Sequence, residues 1–171
     1  MKKHNGMRPQ DIVILLKIIS LQNENWNNTK ISKTLQISAS EVSEALTRCS
    51  YAKLIDSKKK TVYKSAFKEF LIYGLKYVFP VKPGAVVRGI ATAHSANPIK
   101  QHFNSNNTVY VWSYAKGEHR GESIKPLYKT IPQIINTNDI FYELLVIVDT
   151  IRIGRAREVK FAIEELEKRF N

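Results

Sequence analysis

Between residues 38 and 48 the chain carries hydroxyls and charges at helical spacing. Ser40, Ser43, Glu44, Thr47 and Arg48 fall on one side of a helix, and Val42, Ala45, Leu46 and Cys49 on the other. Serine and threonine hydroxyls both donate and accept, so they suit base edges and phosphate oxygens alike. Arg48 adds a planar guanidinium, able to pair bidentately with a guanine edge or to hold a phosphate. Glu44 repels phosphate; it either accepts from a cytosine amino group or sits off the contact. Ser38 opens the helix and is spaced from Glu41 as a capping box, which makes Glu41 a cap and leaves Ser38 at the edge of the same surface. A second group follows at Lys58, Lys59 and Lys60, a compact cationic tip. Each lysine that meets a phosphate releases counterions and makes binding salt-dependent. Lys30 and Lys33 sit just upstream on a short helix, placed to cross a backbone. The plain alternative for all of these residues is a solvated helix face and a solvated hairpin end.

The charge of the chain agrees with polyanion chemistry. Its 171 residues carry a formal net charge of +12. Residues 1–79 hold 14 Lys and Arg against 6 Asp and Glu; residues 80–171 hold 13 against 9. The first half is therefore the better partner for nucleic acid, an anionic surface or an acidic protein. Hydrophobic residues at 43% and charged residues at 25% mark a globular chain rather than a disordered one.

Several classes are set aside. The single cysteine, Cys49, excludes an internal disulfide framework and fits a reducing compartment. Residues 140–148 form the longest apolar stretch, interrupted by Glu143, far short of the roughly 20 residues a membrane span needs. With no secretory signal in view, a cytoplasmic protein without a membrane partner is expected. His94, beside Ser95, together with His102 and His119, raises the question of catalysis or metal binding. Nothing in their spacing fixes a nucleophile, base and orienting acid, or a set of metal ligands. The expectation is no enzyme activity, no catalytic residues, no metal and no cofactor.

The positioning elements are legible from period and punctuation. Pro9 and Asp11 start a helix whose Ile12, Leu15, Leu16 and Ile19 recur on one face. Thr29 is placed to cap a short helix over residues 30–35, with Ile31 and Leu35 inward. After Gln36 and Ile37 comes the helix of residues 38–49. Residues 54–56 and 61–63 are two β-prone runs around the lysine tip, a hairpin with Asp56 and Ser57 as turn residues. Ser65 is placed to cap a fourth helix reaching about Tyr77. Past Pro80, strands are expected at 85–87 and 108–112, with a third at 123–128 confined to an edge by Pro126. Residues 92–107 read as irregular. Asp139 caps a very apolar helix to 153, Gly154 breaks it, and a last helix covers 155–170. An apolar helix of that kind is buried, either in the core of the second half or at a dimer seam. Asp149 on it needs a cation, and Arg152 or Arg155 is near enough to supply one; a structural ion pair tying two helices is expected, a phosphate, RNA or acidic-protein site being the alternative.

The order helix, short helix, tight turn, helix, basic hairpin, helix sets the third helix outward, where it can enter a major groove about 12 Å wide. At residues 30–46, continuing through Ala52-Lys53-Leu54-Ile55, the chain resembles winged helix-turn-helix regulators of the broad MarR-like type. Leu35, Ile37, Val42, Leu46, the Leu54-Ile55 exit and the serine opening the helix carry the resemblance, which covers residues 9–79. Such sequences commonly have glycine where Lys53 stands and often leucine where Cys49 stands. Lys53 must then take a positive φ. Residues 81–89, 111–112, 119–121 and 149–157 resemble bacterial proteins that join such a domain to an added C-terminal module, some of them akin to repressor or antitoxin components.

The expected fold is α+β: a winged helix-turn-helix DNA-binding domain at 1–79, then a smaller α+β module at 80–171 ending in two helices and serving dimerisation, a partner or an effector. The resemblance implies a sequence-specific double-stranded DNA-binding transcriptional regulator, a repressor, working as a homodimer. The alternative is an antitoxin-like component that neutralises a cognate toxin through its C-terminal half and autoregulates through its winged helix. A cognate protein or a small effector is the further partner implied.

Overall fold

A computed structural model describes residues 5–104 and 108–171; residues 105–107, within the stretch read as irregular, lie outside the described residues. The fold is mixed α+β. Three helices open it: α1 (Pro9–Ser20), α2 (Asn28–Leu35) and α3 (Ala39–Tyr51). A hairpin leads to α4 (Lys64–Tyr73) and the single turn α5 (Leu75–Val78). Strands β1 (Val86–Ala91), β2 (Tyr110–Ser113) and β3 (His119–Ser123) follow, then α6 (Ile131–Ile134), α7 (Ile140–Ile153) and α8 (Ala156–Phe170).

Local chemistry sets most boundaries. Pro9 stands in the first turn of α1, and the Asp11 carboxylate accepts from the Arg8 N–H at 2.9 Å. Asn27, rather than Thr29, caps α2 by accepting from the Lys30 N–H at 2.8 Å, so that helix begins earlier than the sequence predicts. Gln36 ends it in the left-handed region, φ 52°. Ser38 caps α3 by accepting from the Glu41 N–H at 3.2 Å. The Glu41 carboxylate reaches α1 instead of completing the box, accepting from Gln10 at 2.8 Å and lying 3.6 Å from Arg8. The hairpin is held by one bridge, Ile55 to Val62. The α4 cap position is Tyr63, not Ser65, and its side chain makes no capping hydrogen bond.

The strands close on themselves. β1 runs antiparallel to both β2 and β3, and β2 is parallel to β3, giving a small closed barrel. The third strand lies at His119–Ser123; the predicted strand at 123–128 does not form. Pro126 has no N–H to give a ladder, whereas the polar 119–123 run can approach closely because Gly121 lacks a side chain. A Cβ on Gly121 would collide with the Val109 carbonyl, and one on Gly89 with that of Trp112.

One hydrophobic cluster draws on both sides of the 79/80 boundary. α7 runs through its middle, against α1, α8 and the 3-10 turn Ala93–Ser95 that follows β1. Residues 141–151 are buried within the single chain apart from half-buried Glu143, so α7 is core and not an exposed dimer seam. α1 is buried from Asp11 to Ile19 without a break, since α3 covers one side and α7 another. The Thr130 hydroxyl donates to the Leu35 carbonyl at 2.8 Å and fastens the second half to the end of α2.

Asp149 is the polar node of this core. Its carboxylate accepts from Arg152 Nη1 at 2.9 Å, Thr92 Oγ1 at 2.9 Å and Trp112 Nε1 at 2.7 Å. Arg152 supplies the cation within α7, and its N–H groups also reach the carbonyls of Phe79 at 3.0 Å and Lys125 at 3.3 Å. The pair therefore ties α7 to the chain before β1 and after β3, rather than to a second helix. Arg155 stands apart from this node, its backbone N–H donating to Glu158 at 2.9 Å to open α8. A buried charge is stable here because each oxygen is met. Asp149→Ala leaves Arg152 uncompensated and the Trp112 and Thr92 donors unmet, and is expected to destabilise the fold by about 3–5 kcal/mol. Denaturant unfolding followed by tryptophan fluorescence measures it; a change within experimental error of zero contradicts the role.

Candidate nucleic-acid interface

α3 turns a hydroxyl-bearing face to solvent. Ser38, Ser40, Ser43, Glu44 and Thr47 are all exposed. The opposite face, Val42, Ala45, Leu46 and Cys49, is buried beneath. Ser40 Oγ lies 3.2 Å from the capping Ser38 Oγ. Thr47 donates back to the Ser43 carbonyl at 3.0 Å, which fixes its rotamer. Tyr51, two further turns from Ser43 and 74% exposed, extends the same face. Sequence reasoning passed over Tyr51, although its spacing from Thr47 is helical.

Arg48 does not belong to that face. It is only 7% exposed, and its guanidinium grips the fully buried Asp11 carboxylate with Nε at 2.9 Å and Nη2 at 2.7 Å. The hydrogen bonds to Asp11 hold its pKa above the ordinary arginine value, against the opposing effect of burial. The outward placement predicted for Arg48 is thus corrected: its fork is spent on α1. Only Nη1 approaches the exposed face, 3.8 Å from Glu44. Burial, followed by the Asp11 charge, also pushes the neighbouring Cys49 thiol far up, so it behaves as an apolar core group.

The hairpin stands against α3. Lys59 Nζ donates to Thr47 Oγ1 at 2.7 Å, joining the lysine tip to the helix face. Lys59 has φ 57° and its N–H donates to the Asp56 carbonyl at 2.9 Å. Asp56 organises the tip by accepting from the Lys60 N–H at 2.6 Å and the Thr61 N–H at 2.8 Å. Those bonds, led by the Thr61 N–H, lower its carboxyl pKa below the usual carboxylate value. The tie therefore holds above the ordinary aspartate range and is released as pH falls through the lowered value. Lys53 has φ 62°, the left-handed geometry expected at its place before the hairpin.

Not every predicted lysine faces the same way. Lys58 and Lys33 are exposed. Lys60 lies over the Trp26 ring at 4.7 Å from its centroid. Lys30 Nζ is drawn to Glu24 at 2.9 Å and the Asn25 carbonyl at 3.3 Å. The structure thus brings together Ser40, Ser43, Glu44, Thr47 and Lys59, with Lys58 at the tip, and leaves Lys30 on a separate ion pair.

The histidines take other positions. His94 and His119 line one cavity of about 470 Å³ with Ser95. Ser95 Oγ accepts from the Tyr110 N–H at 2.8 Å, and His94 Nε2 lies 2.6 Å from the Thr108 carbonyl. Among the described residues no hydrogen bond joins Ser95 to His94. His102 stacks on Phe161 of α8, with 4.3 Å between ring centroids.

The variant Arg48→Ala separates a positioning role from a base-reading one. It strands the Asp11 charge and is expected to lower stability by about 3–5 kcal/mol, read by denaturant unfolding. Unchanged stability with a selective loss of DNA sequence preference would restore Arg48 as a base reader.

Comparison of the chain with family models, curated proteins and solved structures gave no match to any of them.

Proposed function

We propose that α1–α3 and the hairpin at residues 55–62 form a winged helix-turn-helix unit that binds double-stranded DNA. In this reading α3 enters the major groove and the hairpin rests on the phosphate backbone. The observation that carries it is the 2.7 Å bond from Lys59 to Thr47, which makes the cationic tip and the hydroxyl face one continuous surface. Ser40, Ser43, Glu44 and Thr47 are assigned to the groove. Lys58 and Lys59, with Lys33, Lys53 and Ser38, are assigned to phosphates. The chain acts on this reading as a sequence-specific transcriptional repressor. Base readout falls to short hydroxyls and one carboxylate, so affinity comes mainly from phosphate contacts.

A homodimer reading a pseudo-palindrome suits such a unit. Its seam lies outside α7, which the protomer encloses. Tyr73 at 72% and Tyr77 at 73% exposure, with Val78 at 51%, offer apolar surface on α4 and α5. The same surface favours the second reading, an antitoxin-like chain that covers a protein partner, since large exposed aromatic groups are enriched at protein interfaces.

Replacing Lys58, Lys59 and Lys60 together with alanine is expected to weaken duplex binding and to lower the salt slope by about 2, given a slope of about 0.9 for each phosphate neutralised by Lys58 and Lys59. A gel-shift titration over a range of salt measures both. Unchanged affinity and slope reject the hairpin as a DNA contact.

A further inference from the structure

The three-strand barrel contains an arrangement that does not help it fold. Arg88 on β1 and Arg120 on β3 are direct partners in the antiparallel register. Cross-strand partners share a face with Cβ atoms about 4.5–5.5 Å apart, and like charges there repel and destabilise. Both residues are exposed. Among the described residues, neither guanidinium makes a hydrogen bond or ion pair. Glu122 lies two positions along β3, registered against Val86, and is not paired with either arginine.

The strands have little freedom to relieve this repulsion. Gly89 and Gly121 flank the pair, and each is pressed so close to a carbonyl that a Cβ would not fit. The backbone positions from which the two arginines project are therefore held side by side, and their side chains share one face. Three other arginines are matched closely to acids: Arg48 to Asp11, Arg152 to Asp149, and Arg169 to Glu143 and Glu165, while Arg157 lies over the Phe103 ring. An unmatched pair of arginines rising from partner positions on one face can bring many N–H donors to one oxyanion, and phosphate is the group such planar forks bind bidentately.

We propose that Arg88 and Arg120 form a second phosphate-binding site, which takes a backbone phosphate of the nucleic acid that the chain binds. The nucleic-acid assignment rests on the reading given under Proposed function; the existence of an anion site does not. The backbone of a nucleic acid is favoured over an acidic peptide strand on one ground. The barrel is closed, so no free strand edge is offered for a peptide to extend. The net charge of the whole chain, +12, draws polyanions of both kinds, so the closed edge is what turns the choice to a nucleic acid. Bound phosphate would cancel the cross-strand repulsion, so binding at this site also stiffens the barrel.

The test uses the full chain with three proteins: the natural sequence, R88Q/R120Q, and the triple alanine variant at Lys58, Lys59 and Lys60. Each is titrated with duplex DNA, with single-stranded RNA and with polyglutamate between about 50 and 200 mM salt. Thermal unfolding is followed with and without inorganic phosphate. The site predicts that R88Q/R120Q weakens nucleic-acid binding roughly tenfold and lowers the salt slope by about 1. It also predicts that phosphate raises the melting temperature of the natural chain more than that of R88Q/R120Q. Because glutamine removes a repulsion, the variant without ligand melts no lower than the natural chain, which separates an absent phosphate contact from a damaged fold. An effect of R88Q/R120Q with none from the lysine variant would leave this site standing and reject the hairpin. The reverse pattern overturns the site alone. Loss of polyglutamate binding with nucleic-acid binding intact overturns it in favour of an acidic protein. So does a natural chain that binds no nucleic acid.

Discussion

The buried pair of Asp11 and Arg48 sets the orientation on which the exposed surface depends. Asp11 also receives the Arg8 N–H, so one carboxylate both opens α1 and anchors α3. A bidentate fork has little rotational slack. It therefore fixes the roll of α3 about its axis as well as its distance from α1. Ser40, Ser43 and Thr47 face outward as a consequence. Removing two charges from water offsets much of their attraction, so the net stabilisation from such a pair is modest, while breaking it by removing one partner is severe. Its contribution is to specify one arrangement out of several that the apolar contacts alone would tolerate.

The hairpin inherits its position from α3. With a single bridge between its arms it is too short to be stable alone, and it borrows order from Asp56 at its base and Thr47 at its side. Behind α3, α1 is packed against α7, and α7 is pinned by Asp149 to the barrel and to the turn after β1. A chain of contacts thus links the barrel, α7, α1, α3 and the hairpin. The Thr130 bond to the end of α2 adds a second route.

Much of this was legible in the residues. Ser38 and Asp139 stand at helix starts as their side-chain chemistry requires, and Lys53 adopts the positive φ implied by its place before the hairpin. Asp149 on an apolar helix demanded a cation, and Arg152 is that cation. What escaped was decided by distant partners. Arg48 lies on the border of the helix wheel, one step from Thr47 and one from Cys49, so a long side chain there can turn either way. The residue that settles it, Asp11, is 37 positions away and carries no local signal. Glu41 is drawn from its box by the same kind of distant contact, through Gln10 and Arg8. β3 was missed for a different reason. His119, Arg120, Gly121, Glu122 and Ser123 have neither alternation nor β-branched residues, and the strand exists because Gly121 admits a close neighbour. α1 was read as one-faced, although Val13, Ile14 and Ile18 already made it apolar on nearly all sides, the mark of a helix covered twice.

On the proposed function the hydroxyl face of α3 and the tip of the hairpin act as one DNA-binding surface. Amide chemical shifts of the isotope-labelled full chain, followed during titration with a duplex of about two helical turns, test it most directly. The largest changes are expected at Ser40, Ser43, Glu44, Thr47, Lys58 and Lys59, with Arg48 and Cys49 moving little. Changes confined to residues outside α3 and the hairpin, or none at saturating duplex, would contradict it.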